Sequence, residues 1–347
     1  MIMNLIRCIS NLFLLPLLLL LWTVQIAWSA VPFIVDTDMG VDDAMALLYL
    51  LQRPDVELKA VTIASDGNAH CTPALRNTLG LLQMLQRPTI PVACGQETPL
   101  LGKHHFPQAV LLESDTLAGT VKLLPKVSTK QSPHTAVDLL IKTVQDASQP
   151  VTILAIGPLT NIAQALQKAP EIKRNIRVIY IMGGAIDVPG NIPEVDSASK
   201  NHTAEWNFYL DPLAAEIVLA QGLPIVLVPL DVTNQLPIDM GFYNAVKNKH
   251  HTPAADYVFS MLQNNIKILR AKEWFFWDPL AAVIASDESI AAFKVQRLKV
   301  VLSPEIQSGR TIVDNKAGHS VRVVTGVDAK RFTSIFLNYL NNPNSRA

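Results

Sequence analysis

The sequence predicts an α/β fold, with a mostly parallel sheet and helices on both faces of it. Short apolar runs, typical of buried strands, alternate along the chain with segments whose apolar residues recur at helical spacing. This alternation is typical of parallel sheets that are covered by helices. Polar clusters follow several of the predicted strands, and in such sheets sites form beyond the carboxyl ends of the strands.

The predicted elements follow in order along the chain. Strands are predicted at residues 33–35, 59–64, 90–93, 151–156, 178–182, 225–230, 298–302 and 320–324. Helices are predicted at residues 42–51, 74–85, 134–144, 159–166, 212–220, 254–269, 278–284 and 329–340. The segments 95–133 and 185–202 lack periodicity. A connection as long as the first is more often functional than inert.

Four carboxylates lie between the first strand and the first helix: Asp36 and Asp38 at the strand end, and Asp42 and Asp43 in the first helical turn. Two carboxylates about 4 Å apart repel by roughly 4 kcal/mol at an effective dielectric constant near 20. No Lys or Arg between residues 31 and 52 offsets this repulsion. The pattern therefore predicts a hard, oxygen-seeking cation such as Ca²⁺ or Mg²⁺. The alternative is one helix-capping Asp among solvated surface acids.

Two common acidic motifs fit less well. An EF-hand loop that began at Asp36 would need Glu at its twelfth position, where the chain has Leu47. A phosphotransferase of the haloacid dehalogenase type also uses Asp-x-Asp after a strand, but it usually has Thr or Val where this chain has Gly40. The string from Asp36 to Ala44, Asp-Thr-Asp-Met-Gly-Val-Asp-Asp-Ala, instead resembles the signature of the inosine–uridine-type nucleoside hydrolases.

Further landmarks of that family follow in the expected order, up to about residue 282. They are Asn68 after the second strand, Ile156-Gly157-Pro158-Leu159-Thr160-Asn161, Met182-Gly183-Gly184, Gly190-Asn191, Ala204-Glu205-Trp206-Asn207 with Asp211-Pro212, and Trp277-Asp278-Pro279. The resemblance implies the Rossmann-like fold of the family. It also implies cleavage of the N-glycosidic bond of ribonucleosides by water bound to Ca²⁺, without a covalent intermediate.

The resemblance assigns roles to particular residues. It implies calcium ligands at Asp38, Asp43, the main-chain carbonyl of Ile156, and Asp278, with Asp38 also acting as the general base. The residues implied at the ribose are Asp42, Asn68, Met182, Asn191, Glu205 and Asn207. Acids and amides suit vicinal hydroxyls, which donate and accept hydrogen bonds in defined directions.

Members of the family differ in the residues that contact the base and in the base that they prefer. Members with broad or pyrimidine preference typically have His before the late calcium Asp, as an acid for the departing base, and this chain has Trp277 there. Trp277 and Trp206 resemble the purine-specific branch, because a stacked indole suits a flat purine. The purine-specific branch has an acid where this chain has Asn68. It also has a second Trp in the loop after the third strand; this chain has none there, and Phe106 or a His would have to complete the stack. A broad or pyrimidine-preferring hydrolase, an exported nucleoside-binding protein and a metal-dependent phosphatase stay open as alternatives.

Several candidate residues also have purely structural interpretations. Met182 at a strand end is as typical of a core as of a site. Thr160 and Asn161 are expected to cap the following helix. The pairs at 104–105 and 250–251 are both His-His, and they are more typical of polar loops than of a site.

Residues 1–29 resemble a secretory signal, with Arg7, a Leu-rich core at 12–22, and small residues at Ala27 and Ser29 before the expected cleavage point. The core is short of the ~20 residues that span a bilayer, so a retained anchor is the less favoured alternative. Residues 30–347 are expected to form one catalytic domain that is periplasmic or secreted and without stable membrane association. An exported chain permits a disulfide between Cys71 and Cys94, although two free thiols are as consistent with the sequence.

The balance of 29 basic and 29 acidic residues gives no support for nucleic acid as a partner. The expected partner is a small-molecule nucleoside. The resemblance implies a homo-oligomer, either a dimer or a tetramer.

Overall fold

The computed structural model describes residues 30–342, so the predicted signal segment lies outside the described residues. The strands are β1 Val31–Thr37, β2 Val56–Ile63, β3 Val92–Cys94, β4 Val151–Ile156, β5 Ile176–Met182, β6 Ile225–Val228, β7 Ala291–Val300, β8 Thr311–Val313 and β9 His319–Val327. The helices are α1 Val41–Leu51, α2 Cys71–Met84, α3 Gln108–Asp115, α4 Ala136–Asp146, α5 Thr160–Lys168, α6 Ile192–Val195, α7 Trp206–Leu210, α8 Pro212–Leu219, α9 Leu230–Thr233, α10 Met240–Asn248, α11 Pro253–Asn264, α12 Ile266–Ala271, α13 Trp277–Ser286 and α14 Ala329–Asn341.

The strands form one nine-stranded sheet in the order β3-β2-β1-β4-β5-β6-β9-β7-β8. Within residues 30–342, every strand pairing from β3 across to β9 is parallel, and β7 pairs antiparallel with both β9 and β8. The predicted α/β fold with a mostly parallel sheet is therefore confirmed. The carboxyl ends of β1, β2, β4 and β5 lie along one edge of the sheet, because parallel strands run in the same direction.

Two apolar layers cover the sheet. On β1 the side chains of Phe33 and Val35 join one cluster, and Ile34, which points to the other face, joins the second. The first cluster contains side chains of α1, α2, α11, α13 and α14, and the second contains those of α4, α5 and α8. Helix α1 packs against α13 within the first layer. This packing brings the amino ends of two helices far apart in sequence to the same edge of the sheet.

The structure differs from the sequence prediction in several elements. The predicted helix at 254–269 is two helices, because Asn265 leaves helical geometry with φ −99° and ψ 18° between α11 and α12. The segments without periodicity contain α3 and α6, which are too short to show a helical repeat. Strand β8 and helices α7, α9 and α10 were also not predicted. None of the helices in residues 30–342 is long and apolar enough to cross a membrane.

Cys71 and Cys94 form a disulfide, with an S–S distance of 2.15 Å and a Cα–Cα distance of 5.9 Å. The bond joins the first residue of α2 to the last residue of β3. The turn between β2 and α2 contains Asn68 and is thereby linked covalently to the neighbouring strand. Of the two possibilities that the sequence leaves open, the structure has the disulfide.

Candidate active site

Four carboxylates lie together at the carboxyl edge of the sheet. Asp38 follows β1, Asp42 and Asp43 lie in the first turn of α1, and Asp278 lies in the first turn of α13. Oxygen atoms of Asp42, Asp43 and Asp278 lie within 4.8 Å of one another. Asp38, Asp43 and Asp278 are buried, and Asp42 is half-buried. The packing of α1 on α13 thus places Asp278 beside acids more than two hundred positions earlier in the chain.

Asp43 and Asp38 accept hydrogen bonds from neutral donors. Asp43 accepts from the hydroxyl of Thr37 and, at 2.9 Å, from the N–H of Gly40. Asp38 accepts from the N–H of Asn68, also at 2.9 Å. Desolvation, followed by the charges of neighbouring carboxylates, raises the pKa of Asp38 and Asp278 well above the usual range. The same causes raise the pKa of Asp42 to about 7. Buried oxygen donors whose negative charges repel one another fit a hard divalent cation.

Small residues allow close approach to Asp38. A Cβ atom on Gly67 would lie 2.2 Å from Cβ of Asp38 and 2.3 Å from its Oδ2. A Cβ atom on Gly157 would lie 2.9 Å from the backbone nitrogen of Asp38. The backbone of two further loops therefore packs against this carboxylate and restricts its position. Ile156 precedes Gly157 as the last residue of β4, beside Thr37 of β1.

The first carboxylate of the motif, Asp36, points away from this cluster. It is completely buried, and it accepts hydrogen bonds from Thr62 Oγ1 at 2.5 Å and from Asn161 Nδ2 at 2.9 Å. Desolvation raises the pKa of Asp36 to about 7. Asp36 therefore links β1, β2 and α5 under the site.

Thr160 and Asn161 do not cap α5, so the capping prediction is wrong. Their side chains make no cap hydrogen bond, because they form hydrogen bonds with buried carboxyl groups instead. Thr160 Oγ1 lies 2.5 Å from Asp66 Oδ2 and 2.8 Å from Asp211 Oδ2. A hydroxyl has one hydrogen to donate, so one of these two carboxyls must supply the second hydrogen. Desolvation raises the pKa of both acids, that of Asp66 to about 7.

The acidic cluster opens into a cavity of about 700 Å³, a volume typical of small-molecule sites. Its lining includes all twelve residues that the resemblance assigned to the metal, the ribose or the base: Asp38, Asp42, Asp43, Asn68, Ile156, Met182, Asn191, Glu205, Trp206, Asn207, Trp277 and Asp278. The structure therefore brings the whole predicted set together.

Glu205 is held by the backbone of two elements. Its carboxylate accepts from the N–H groups of Gly184 at 2.9 Å, Asn207 at 2.8 Å and Phe208 at 3.2 Å. Desolvation raises the pKa of Glu205 to about 7, although these three donors lower it. Asn207 Nδ2 in turn donates to the carbonyl oxygen of Met182 at 3.1 Å. Met182 thus has a contact at the site edge as well as a place in the core.

Aromatic side chains also line the cavity. Phe106 stacks on Trp206 with ring centroids 4.2 Å apart and an interplanar angle of 21°. A base between two rings needs roughly 7 Å, twice the ~3.5 Å contact distance, so these two rings do not enclose a base between them. Trp277 lies on the same cavity, with its ring centroid 5.6 Å from that of Phe275.

The two His-His pairs do not reach the cavity, and no histidine within residues 30–342 lines it. His104 stacks on Tyr209 at 3.9 Å and pairs with Glu305 at 2.5 Å. His250 pairs with Asp256 at 2.9 Å and stacks on Phe259. These two histidines have structural partners of their own.

Sequence reasoning missed several lining residues: Val110, Glu113, Ser114, Glu194, Val195, Asn265, Ile268, Lys272, Glu273, Trp274 and Phe275. They belong to the two segments without periodicity and to the chain around α12. The length of those segments was the only signal that pointed to them.

Comparisons with known proteins agree with this geometry. The sequence model described as "Inosine-uridine preferring nucleoside hydrolase" matches residues 33–334. A pyrimidine-specific ribonucleoside hydrolase RihA of Salmonella schwarzengrund is 38% identical over 254 residues, which is 71% of this chain and 75% of that protein.

Solved structures show the same similarity. An inosine-uridine preferring nucleoside hydrolase from Bacillus anthracis aligns with a TM-score of 0.80 and 27% identity, over 90% of this chain and 99% of the other. A purine-preferring ribonucleoside hydrolase from Gardnerella vaginalis aligns with a TM-score of 0.76 and 29% identity, over 90% of this chain and 98% of the other.

Proposed function

The chain belongs to the inosine–uridine preferring nucleoside hydrolase family, and we propose that it is a Ca²⁺-dependent hydrolase that cleaves ribonucleosides to ribose and free base. One observation carries this proposal most directly. Asp42, Asp43 and Asp278 converge beside a cavity whose remaining walls hold the amides and the acid suited to a ribose.

The oxygen donors for calcium would be the carboxylates of Asp38, Asp43 and Asp278 and the carbonyl oxygen of Ile156. All four residues line the cavity. When it is bound, Ca²⁺ makes a water molecule more acidic and orients it. In the described part of the chain, Asp38 and Asp43 accept hydrogen bonds from neutral donors, and carboxylates without a cationic partner suit a divalent ion.

The protein side chains then transfer the proton and hold the sugar. Asp38 takes a proton from the attacking water, whose oxygen forms the new bond to the anomeric carbon. The bond from that carbon to the base nitrogen breaks, and its electron pair leaves with the base. Asp42, Asn191, Glu205 and Asn207 hold the ribose hydroxyls, and the surrounding negative charge favours the oxocarbenium-like sugar.

We propose that purine nucleosides are the preferred substrates. Trp277 occupies the position where relatives with broad or pyrimidine preference typically have a histidine acid, and no histidine in the described part of the chain lines the cavity. Trp274 and Trp277 both line the cavity, and their indole surfaces suit a large flat base.

A pyrimidine preference is the second candidate, because the RihA proteins that resemble this chain are named pyrimidine-specific. Release of ribose from inosine, adenosine, guanosine, uridine and cytidine, with and without a calcium chelator, distinguishes the two. The expected result is faster release from the purine nucleosides, abolished by the chelator and restored by Ca²⁺. Uridine as the best substrate would overturn the purine preference. Binding of inosine without any release of ribose would show that the protein binds nucleosides without hydrolysing them.

We also propose that residues 1–29 direct export and that cleavage follows Ser29. The Cys71–Cys94 disulfide supports this, because such bonds persist in oxidising compartments. Amino-terminal sequencing of the protein from a periplasmic or culture fraction tests the cleavage point. Recovery of the full-length chain in the cytosol alone would contradict it.

A further inference from the structure

A base that leaves with the electron pair of the glycosidic bond needs a proton, and the proposed function does not yet supply one. Outside the residues proposed to hold Ca²⁺ and the ribose, the titratable side chains that line the cavity are Glu113, Glu194, Lys272 and Glu273. The following assignment rests on the proposed function and identifies which of these groups serves the base.

Glu194 is placed by the residues that hold the ribose. It lies in the short helix α6, and its N–H donates to the carbonyl of Asn191 at 3.3 Å. The side-chain oxygen of Asn191 in turn accepts from the N–H of Trp206 at 3.1 Å. Glu194 is therefore one turn of chain away from the proposed ribose contact at Asn191, on the outer wall of the cavity and exposed at its mouth.

Glu273 approaches the same region from another element. Helix α12 ends at Ala271, and the left-handed backbone of the next residue, Lys272 at φ 59°, turns the chain. The N–H of Glu273 donates to the carbonyl of Ile268 at 3.3 Å. The turn places Glu273 on the cavity wall together with Glu194. Partial desolvation and then the negative charge of Glu273 raise the pKa of Glu194. The other charged groups of the lining, apart from the proposed metal and ribose contacts, are Glu113 of α3 and the ammonium of Lys272.

We propose that Glu194 is the acid that protonates the departing base, and that Glu273 is a positioning residue that keeps a proton on Glu194. In this step the carboxyl O–H bond of Glu194 breaks and its proton goes to a nitrogen or carbonyl oxygen of the base. The electron pair of the glycosidic bond goes to the base nitrogen, and Asp38 receives the proton of the attacking water. Because Glu194 is exposed at the mouth, solvent restores its proton after the base leaves.

The test compares two leaving groups in the full enzyme with Ca²⁺. A nucleoside base needs a proton to leave, whereas the nitrophenolate of 4-nitrophenyl β-D-ribofuranoside leaves without one. In Glu194→Gln we expect kcat for the best nucleoside to fall by ~100-fold or more, within the range of general acid catalysis. We expect kcat for the nitrophenyl riboside to change by less than about threefold, because the acid is not used there. Glu171→Gln, at an exposed site away from the cavity, is the matched control.

Each other outcome has a definite meaning. Unchanged nucleoside turnover in Glu194→Gln, or an equal loss with both substrates, overturns the assignment. The same leaving-group-dependent loss in Glu113→Gln instead of Glu194→Gln transfers the role to Glu113. If the unmodified enzyme cleaves neither substrate, the proposed function itself fails.

A pH profile tests the role of Glu273. In Glu273→Gln the basic limb of kcat/KM for the nucleoside should move to lower pH, since Glu194 loses its proton more readily without a negative neighbour. A purely structural role for Glu273 would lower the activity at all pH values without moving that limb, and this result would overturn the assignment of Glu273.

Discussion

Asp278→Asn should stabilise the metal-free protein and destabilise the calcium-bound one. Asp278 has oxygen neighbours on Asp42 and Asp43 within 4.8 Å. At a separation of 4.8 Å and an effective dielectric constant near 20, each ionised pair repels by about 3.5 kcal/mol, so the two pairs together repel by roughly 7 kcal/mol when all three acids are charged. Uptake of protons relieves part of this repulsion, and we expect the substitution to raise the unfolding free energy of the chelated protein by about 3 kcal/mol near pH 8.

The sign of the pH dependence follows from the raised pKa of Asp278, compared with 3.8 for an ordinary Asp. Below about pH 4 both folded and unfolded chains hold this proton, so the carboxyl contributes no penalty. As the pH rises toward the folded pKa, the unfolded chain releases the proton first and the metal-free fold loses stability. The advantage of Asn over Asp should therefore grow as the pH rises above about 4 toward the raised folded pKa of Asp278.

Thermal unfolding with chelator and with about 1 mM Ca²⁺ measures both effects. In chelator the variant should melt about 5 °C higher than the unmodified protein. In Ca²⁺ the order should reverse, because only the unmodified site gains the binding free energy of the ion. Asp146→Asn, at an exposed ion pair with Lys142, is the control, and it should change the free energy of unfolding by no more than about 0.5 kcal/mol in either condition. An equal loss of stability in both conditions for Asp278→Asn would refute the repulsion argument.

Three further changes test other parts of the site. Asp38→Asn should lower kcat for ribose release by ~100-fold or more at saturating Ca²⁺ while the circular dichroism spectrum stays native, and near-normal turnover would remove the general base. Thr160→Val leaves Asp66 and Asp211 without their shared hydroxyl, which should cost about 1–3 kcal/mol in urea unfolding. The control for it is Thr143→Val, whose hydroxyl donates only within its own helix, and equal losses would contradict the role of the shared hydroxyl. Cys71→Ser opens a disulfide loop with a sequence separation of 23 and should cost about 3 kcal/mol, whereas an unchanged urea midpoint would show that the bond does not stabilise the fold.

Much of the fold follows from local pattern. The acids after β1 and the apolar repeat of α1 are readable within some twenty residues, because each depends on short-range geometry. The antiparallel pairing of β7 and β8 has no such local signal. The break at Asn265 between α11 and α12 is likewise absent from the apolar repeat, which continues through it.

In the site, too, local sequence does not predict the features that depend on tertiary packing. The convergence of Asp278 with Asp43 depends on the packing of α1 on α13, and only the family resemblance pointed to it. Thr160 and Asn161 look like helix caps in sequence, and their inward bonds become visible only when the strands that supply their partners are in place. Glu194 and Glu273 lie on the cavity through the paths of irregular segments, which periodicity does not encode.

Because Cys71 and Cys94 form a disulfide, the exposure of a sample to reductants determines which covalent form of the protein it contains. Lysis in a buffer that contains thiols would yield two molecular species that differ in the tether next to Asn68. Kinetic constants measured on such a mixture would average over both species. Quantification of free thiols beside every activity measurement separates them, and it lets preparations from different hosts be compared on equal terms.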